Sequence, residues 1–199
     1  MYEASEQNEN RKTPVKIVIA GGFGAGKTTM VGAISEIEPL RSEATMTTAS
    51  TDLDDLTHIG QKKTTTVAMD FGRISLTDDI ILYLFGTPGQ ERYHFMWNEV
   101  SRGAIGAIVI ADTRRLADCF PALDYFEQRN IPFIVAVNPF DGTRSHGIDD
   151  IRGALQVPET VPMMFVDARE RADVKAGLVA LVEHALLRAR SDAAVGAAT

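Results

Sequence analysis

The stretch with the clearest chemical demand is Gly21-Gly22-Phe23-Gly24-Ala25-Gly26-Lys27-Thr28. Its spacing is the phosphate-loop pattern of Gly, four residues, then Gly-Lys-Ser/Thr. A polyphosphate has to be approached closely by several backbone N–H groups, and glycine removes the side chains that would block the approach. The helix expected from Lys27 onward adds unpaired N–H groups and its positive dipole end. Lys27 can reach the β- and γ-phosphates, and the Thr28 hydroxyl can ligate Mg²⁺. Phe23, Gly24, Ala25, Gly26, Lys27, Thr28 and Thr29 are therefore the expected nucleoside-triphosphate contacts, with Lys27 also serving catalysis.

Such a loop needs a strand before it and a helix after it. Residues 15–20 form an apolar run broken only by Lys16, as suits a central parallel strand covered on both faces. A helix to about Ile37 follows, ended by Pro39. Residues 42–66 are rich in Ser and Thr and poor in large apolar groups, which reads as a long loop, either a lid over the nucleotide or a plain surface segment. Residues 67–76 and 80–85 flank the polar turn Thr77-Asp78-Asp79, an antiparallel hairpin. Strands at 105–111 and 133–137 enclose a helix at 116–128, a βαβ unit. A short helix at 148–155, a strand at 163–166 and a helix at 172–190 complete the pattern.

At 199 residues and 45% apolar composition, the chain suits one domain, residues 14–190, between a polar tail (1–13) and an Ala-rich tail (191–199). Its net charge of −7 argues against nucleic-acid or direct membrane binding. With one cysteine, Cys119, no signal peptide and no long apolar stretch, the chain reads as cytoplasmic, reaching membranes only through partners.

Downstream motifs resemble those of the Ras-like small GTPases. Thr66-Val67-Ala68-Met69-Asp70-Phe71 resembles the end of their first switch, which makes Thr66 the second Mg²⁺ ligand and γ-phosphate sensor. Gly86-Thr87-Pro88-Gly89-Gln90-Glu91-Arg92 is similar to the second switch. There Gly89 would offer its N–H to the γ-phosphate and Gln90 would position the attacking water. The family's Mg²⁺-supporting aspartate is replaced by Gly86, leaving water and another carboxylate such as Asp70 to support the ion, or weaker metal binding. Asn138-Pro139-Phe140-Asp141 resembles the guanine-reading motif: Asp141 would pair with the guanine N1–H and N2–H, and Asn138 would brace the loop. Pro139 stands where a lysine stem packs on the base, which implies either lower affinity or a stacking role partly taken over by Phe140. Asp167-Ala168-Arg169 is similar to the loop whose backbone N–H meets the guanine oxygen.

The resemblance implies an α/β, single P-loop NTPase (Ras-like) domain. Its sheet would be mostly parallel and six-stranded, with helices on both faces and one antiparallel edge strand. It implies GTP/GDP and Mg²⁺ as ligands and slow intrinsic hydrolysis. Gly-Thr-Pro-Gly-Gln-Glu-Arg, the Phe140-Asp141-Gly142 loop and residues 111–116 look like the conservon GTPases of actinobacteria, relatives of the MglA-type polarity GTPases. That implies a Roadblock/LC7 protein and a sensor histidine kinase-like protein as partners. Arg41, Arg92, Arg114 and Arg115 are possible charge-stabilising arginines with no position that assigns one. Asp112-Thr113 reads as a helix cap or turn. Residues 93–97 are a partner surface or half core. Two other classes stay open: a nucleotide-stabilised scaffold without turnover, suggested by Gly86 and Pro88, and a P-loop ATPase or small-molecule kinase.

Overall fold

The computed structural model describes residues 12–47, 64–140 and 146–196. Seven strands lie in it: β1 (Thr13–Gly21), β2 (Leu40–Thr47), β3 (Thr64–Ser75), β4 (Ile80–Gly86), β5 (Ala104–Asp112), β6 (Phe133–Asn138) and β7 (Met163–Phe165). The helices are α1 (Lys27–Ile34), α2 (Trp97–Ser101), α3 (Phe120–Gln128), α4 (Ile148–Leu155) and α5 (Arg171–Gly196). One sheet takes the strands in the order β2-β3-β4-β1-β5-β6-β7. β1, β4, β5, β6 and β7 run parallel, and β3 is antiparallel to both of its neighbours.

Side chains alternate across a strand, so consecutive residues of β1 feed two different cores. Ile17 and Ile19 pack with Met30, Val31 and Ile34 of α1 and with Val174, Leu178 and Leu181 of α5. Val18 and Ala20 pack with Trp97 and Val100 of α2, Leu123 and Phe126 of α3, and Ile151 and Leu155 of α4. Covering both faces is what makes β1, β5 and β6 read as near-continuous apolar runs, broken in β1 by Lys16. The helix after β1 therefore lies on one face and the helix after β5 on the other. In such a sheet, the crevice outside the carboxyl ends of the two strands is where ligands bind.

The six expected strands are all present, and β2 adds a seventh outside the antiparallel strand β3. The expected loop at 42–66 thus begins as backbone paired from Leu40↔Phe71 to Thr47↔Thr64. An edge strand needs no continuous apolar run, so Leu-Arg-Ser-Glu-Ala-Thr-Met-Thr carries only its Thr content as a signal. Residues 48–63, and with them most of the expected lid, lie outside the described residues, as do residues 1–11 of the expected N-terminal tail. Helix α1 stops at Ile34 rather than near Ile37, because Ser35 turns extended and its Oγ accepts the N–H groups of Ile37 and Arg73. Helix α5 runs through Gly196, past the expected end at Arg190, across a segment whose alanines favour helix.

Candidate functional site

The phosphate loop joins β1 to α1 at the carboxyl edge of the sheet. Gly26, just before the helix, has φ +109°, and a Cβ there would stand 2.7 Å from the side-chain amide of Asn138. Only glycine fits both demands. No side chain caps the first turn of α1, so its N–H groups point toward the loop's concavity. Lys27 is 9% exposed, and its Nζ donates to the carbonyls of Gly21 (2.9 Å) and Gly22 (2.6 Å). Burial lowers its pKa to about 8, against the partial support of the Asp70 charge. Phe23 sits exposed at the loop's tip.

A cleft of about 420 Å³ opens over this loop, bounded by Lys27, Thr28, Asp70, Thr87, Pro88 and Gly89. Phe23, Gly24, Gly26 and Thr29 complete its phosphate-loop side. The Thr28 hydroxyl donates to Asp70 Oδ2 at 2.6 Å. Asp70 reaches it from β3, in the position next to Gly86: a Cβ placed on Gly86 would stand 3.2 Å from the Cβ and Oδ2 of Asp70. The loop after β4 closes directly over the lysine, since a Cβ on Gly89 would lie 2.6 Å from Lys27 Nζ. That loop is tied down twice. Thr87 N–H donates to Ile19 O at 2.8 Å, and the Trp97 indole N–H donates to Pro88 O at 3.2 Å. Gln90 ends it, at the start of the short turn Glu91–Met96.

The other flank of the cleft is built from three loops at the ends of β5, β6 and β7. Asn138 is buried and links two of them to the phosphate loop: its amide donates to Ala25 O (3.1 Å) and its Oδ1 accepts from Ala168 N–H (3.2 Å). Asp112, opposite Asn138 in the β5–β6 register, is also buried. Arg114 grips it three times, through its backbone N–H (2.9 Å), Nε (3.0 Å) and Nη2 (2.8 Å). Burial opposes ionisation of Asp112, but these bonds prevail and hold its carboxyl below the usual range. The Arg114 guanidinium lies 3.5 Å from the centre of the Phe140 ring. Asp167 and Arg169 repeat the same three bonds, at 2.9, 2.9 and 2.7 Å, and the Arg169 hydrogen bonds pull Asp167 down to about 2.

A family model described as "conserved hypothetical ATP binding protein" matches residues 19–188, most of the chain. The chain belongs to that family. An uncharacterized protein of Methanocaldococcus jannaschii is 27% identical over 133 residues, which is 66% of this chain and 73% of that one. Among solved structures, the G domain of the T. maritima FeoB iron transporter has a TM-score of 0.58 at 18% identity, over 89% of this chain and 99% of its own. The FeoB G domain of Methanococcus jannaschii has the same TM-score at 12% identity, over 87% and 98%. The T. maritima FeoB cytosolic domain in a GDP form has a TM-score of 0.61 at 15% identity, over 87% of this chain and 64% of its own. These likenesses establish the fold: a single P-loop α/β domain of the G-domain type. No helix among the described residues is long and apolar enough to cross a membrane.

Within this fold, Phe23, Gly24, Gly26, Lys27, Thr28, Thr29 and Gly89 line one cleft, Ala25 is buried in the loop beneath it, Gln90 follows Gly89 outside its lining, and Asn138, Asp167, Ala168 and Arg169 gather on its flank. Thr66 is placed elsewhere: it pairs with Thr45 four residues along β3 from Asp70, roughly 13 Å at strand spacing. Asp141 lies outside the described residues. Two groups escaped the reading of the sequence. The hold of Trp97 on Pro88 needs a contact that no motif encodes. The fork of Arg114 on Asp112 left a trace that could have been read, because Asp-x-Arg occurs at the end of two strands, at 112–114 and 167–169.

Proposed function

We propose that this protein is a guanine-nucleotide switch that binds GTP and GDP with Mg²⁺ and hydrolyses GTP slowly on its own. The observation that carries the reading is the convergence of Lys27, the Thr28–Asp70 pair and Gly89 on one cleft. The phosphate-loop N–H groups would hold the β- and γ-phosphates while the Lys27 ammonium offsets their charge. Gly89 would give its N–H to the γ-phosphate, and Gln90 beside it would orient the attacking water, which phosphoryl transfer needs more than a strong base. The donor set fits magnesium, which favours oxygen and keeps waters and phosphate oxygens in its shell. Thr28 would ligate the ion directly, and Asp70 would hold the hydroxyl or a metal-bound water in place of the carboxylate absent at Gly86. When bound, the ion would offset the negative charge of the nucleotide's phosphates.

Asn138, Asp141 and the Ala168 N–H would read the base. Thr66 would join the site only by moving from its strand position, which suits a segment that senses the γ-phosphate. The partners in this reading are a Roadblock/LC7-type protein and a sensor histidine kinase-like protein in a bacterial cytoplasmic complex. Resemblance to the conservon and MglA-type GTPases supports them. Nucleotide-dependent movement of the loop at 86–90 would carry the signal.

Two observations favour rival readings. The family's description speaks of ATP, and the clasp of Trp97 on a buried Pro88 suits a loop that stays put, as in a scaffold that binds without turnover. Equilibrium binding of GTP, GDP and ATP to nucleotide-free protein separates the first. The proposal expects guanine preference, lost in Asp141→Ala, and ATP preference in the wild type overturns it. Single-turnover hydrolysis by wild type and Gln90→Leu separates the second, because a scaffold shows no Gln90-dependent release of phosphate.

A further inference from the structure

Asp112 and Asn138 are the paired ends of β5 and β6, and beyond them the segment after β5 turns, with Arg115 N–H donating to Asp112 O at 2.9 Å. The segments after the two strands meet again through side chains: Arg114 over Phe140 at 3.5 Å. Between them Pro139 is buried, so the side chain at the lysine position of the related motif is turned into the protein. The cation above the ring is unusually well fixed for an arginine. Two hydrogen bonds from Nε and Nη2 to one buried carboxylate lock its guanidinium plane, a third from the Arg114 backbone N–H holds the carboxylate in place, and burying that carboxylate is costly unless it is satisfied in this way. A side chain left to solvent would need no such anchor. The Arg114 side chain is nonetheless 51% exposed, so the locked plane presents its outer surface. It does so at the carboxyl edge of the sheet, on the flank that Asn138 ties to the phosphate loop through Ala25. Guanidinium planes and aromatic rings are the surfaces on which nucleobases stack.

We infer that Arg114 and Phe140 form the platform against which the purine of the bound nucleotide lies, with Asp112 as the residue that holds Arg114 flat. The inference rests on the nucleotide reading above and specifies its base subsite. Arg114 supplies from the turn after β5 the stacking cation that Pro139 cannot supply from the loop after β6. Lysine is no substitute at this position, because an ammonium has neither the planar face nor the fork that fits Asp112.

The test is equilibrium binding of GDP, ADP and inorganic tripolyphosphate to wild type, Arg114→Ala and Arg114→Lys. Both variants should weaken the preferred nucleoside diphosphate about tenfold while leaving tripolyphosphate, which has no base, unchanged. Phe140→Trp provides a second readout that keeps Arg114. The wild type has one tryptophan, Trp97, and serves as reference. Indole emission beyond that reference should be quenched by the nucleotide and not by tripolyphosphate. Unchanged nucleotide affinity in both arginine variants, or equal loss of nucleotide and tripolyphosphate, overturns the inference, as does an indole at 140 blind to the nucleotide. Wild type that prefers ADP, with a base-dependent loss in Arg114→Ala, supports the platform while the guanine reading falls. Wild type that binds tripolyphosphate and neither nucleotide overturns both.

Discussion

The two ends of the cleft lack a side chain in the same sense and recover it by the same route. At the phosphate end, β4 finishes in Gly86 and the carboxylate beside it belongs to Asp70 of β3. At the base end, β6 runs into Pro139 and the cation beside it belongs to Arg114, two residues past the end of β5. Neighbouring strands lie about 4.8 Å apart, less than the reach of most polar side chains. A functional group can therefore migrate to the adjacent strand and still act at nearly the same point. The ends differ in how firmly the recruited group is held. Asp70 meets the site through its bond with the Thr28 hydroxyl, whereas Arg114 is fixed by three bonds to a buried carboxylate. The recruited cation at the base end is thus held at more points than the recruited carboxylate at the phosphate end.

The comparison breaks most visibly at Asp70. Asp70→Ala should slow Mg²⁺-dependent single-turnover hydrolysis about 100-fold and raise the Mg²⁺ concentration needed for half-maximal rate. Gly86→Asp alone should destabilise the fold by about 1–3 kcal/mol in urea denaturation, because its Cβ meets the Asp70 side chain at 3.2 Å. Combined with Asp70→Ala, it should restore part of the lost rate, and a double variant as slow as Asp70→Ala denies that the two positions share a role. Next in size is a pH effect at Lys27. Its pKa is about 8 in the folded protein against an ordinary value of 10.5, and the charged form is what phosphate attracts. Nucleotide affinity should fall by up to about tenfold from pH 8 to 9. Stability of the nucleotide-free protein should move the other way. Between the two pKa values the unfolded chain binds more protons, so stability rises with pH. Lys27→Met should remove both trends, and titrations of binding and of urea midpoints against pH would show whether it does.

Two smaller effects sharpen the base end and the loop. Asp112→Asn keeps the shape of the side chain but removes the charge that grips Arg114, and should weaken nucleotide binding about threefold in calorimetry. Wild-type affinity in that variant would mean Arg114 needs no anchor. Trp97→Phe should cost about 1 kcal/mol of stability by denaturation, the usual worth of one hydrogen bond, because Pro88 O loses its indole partner.

The parts of this molecule legible in its sequence are those encoded by neighbours along the chain. The phosphate loop shows in glycine spacing, the β3–β4 hairpin in Thr77-Asp78-Asp79, and α4 in its apolar spacing, with bounds of 148–155 both expected and observed. Contacts set by register were harder to read. Asp70 could be suspected only because Gly86 left a need, and the strand pairing then placed it there. Arg114 over Phe140 depends on β5 and β6 ending level, which no local pattern states. Strand β2 escaped because its pairing partner lies beyond residues 48–63, and because edge strands carry little apolar signature.

Helix α5 gives the molecule a direction. It starts two residues after Arg169, at the carboxyl edge of the sheet, and with 26 residues spans about 39 Å. Its last turns pass Val15, Ile80 and Ile105, at the amino ends of the strands on the opposite side of the sheet. A tether joined to the end of this rod would hold the protein by its far side. The phosphate-loop cleft would then face outward, and whatever the tether is fixed to would lie behind it.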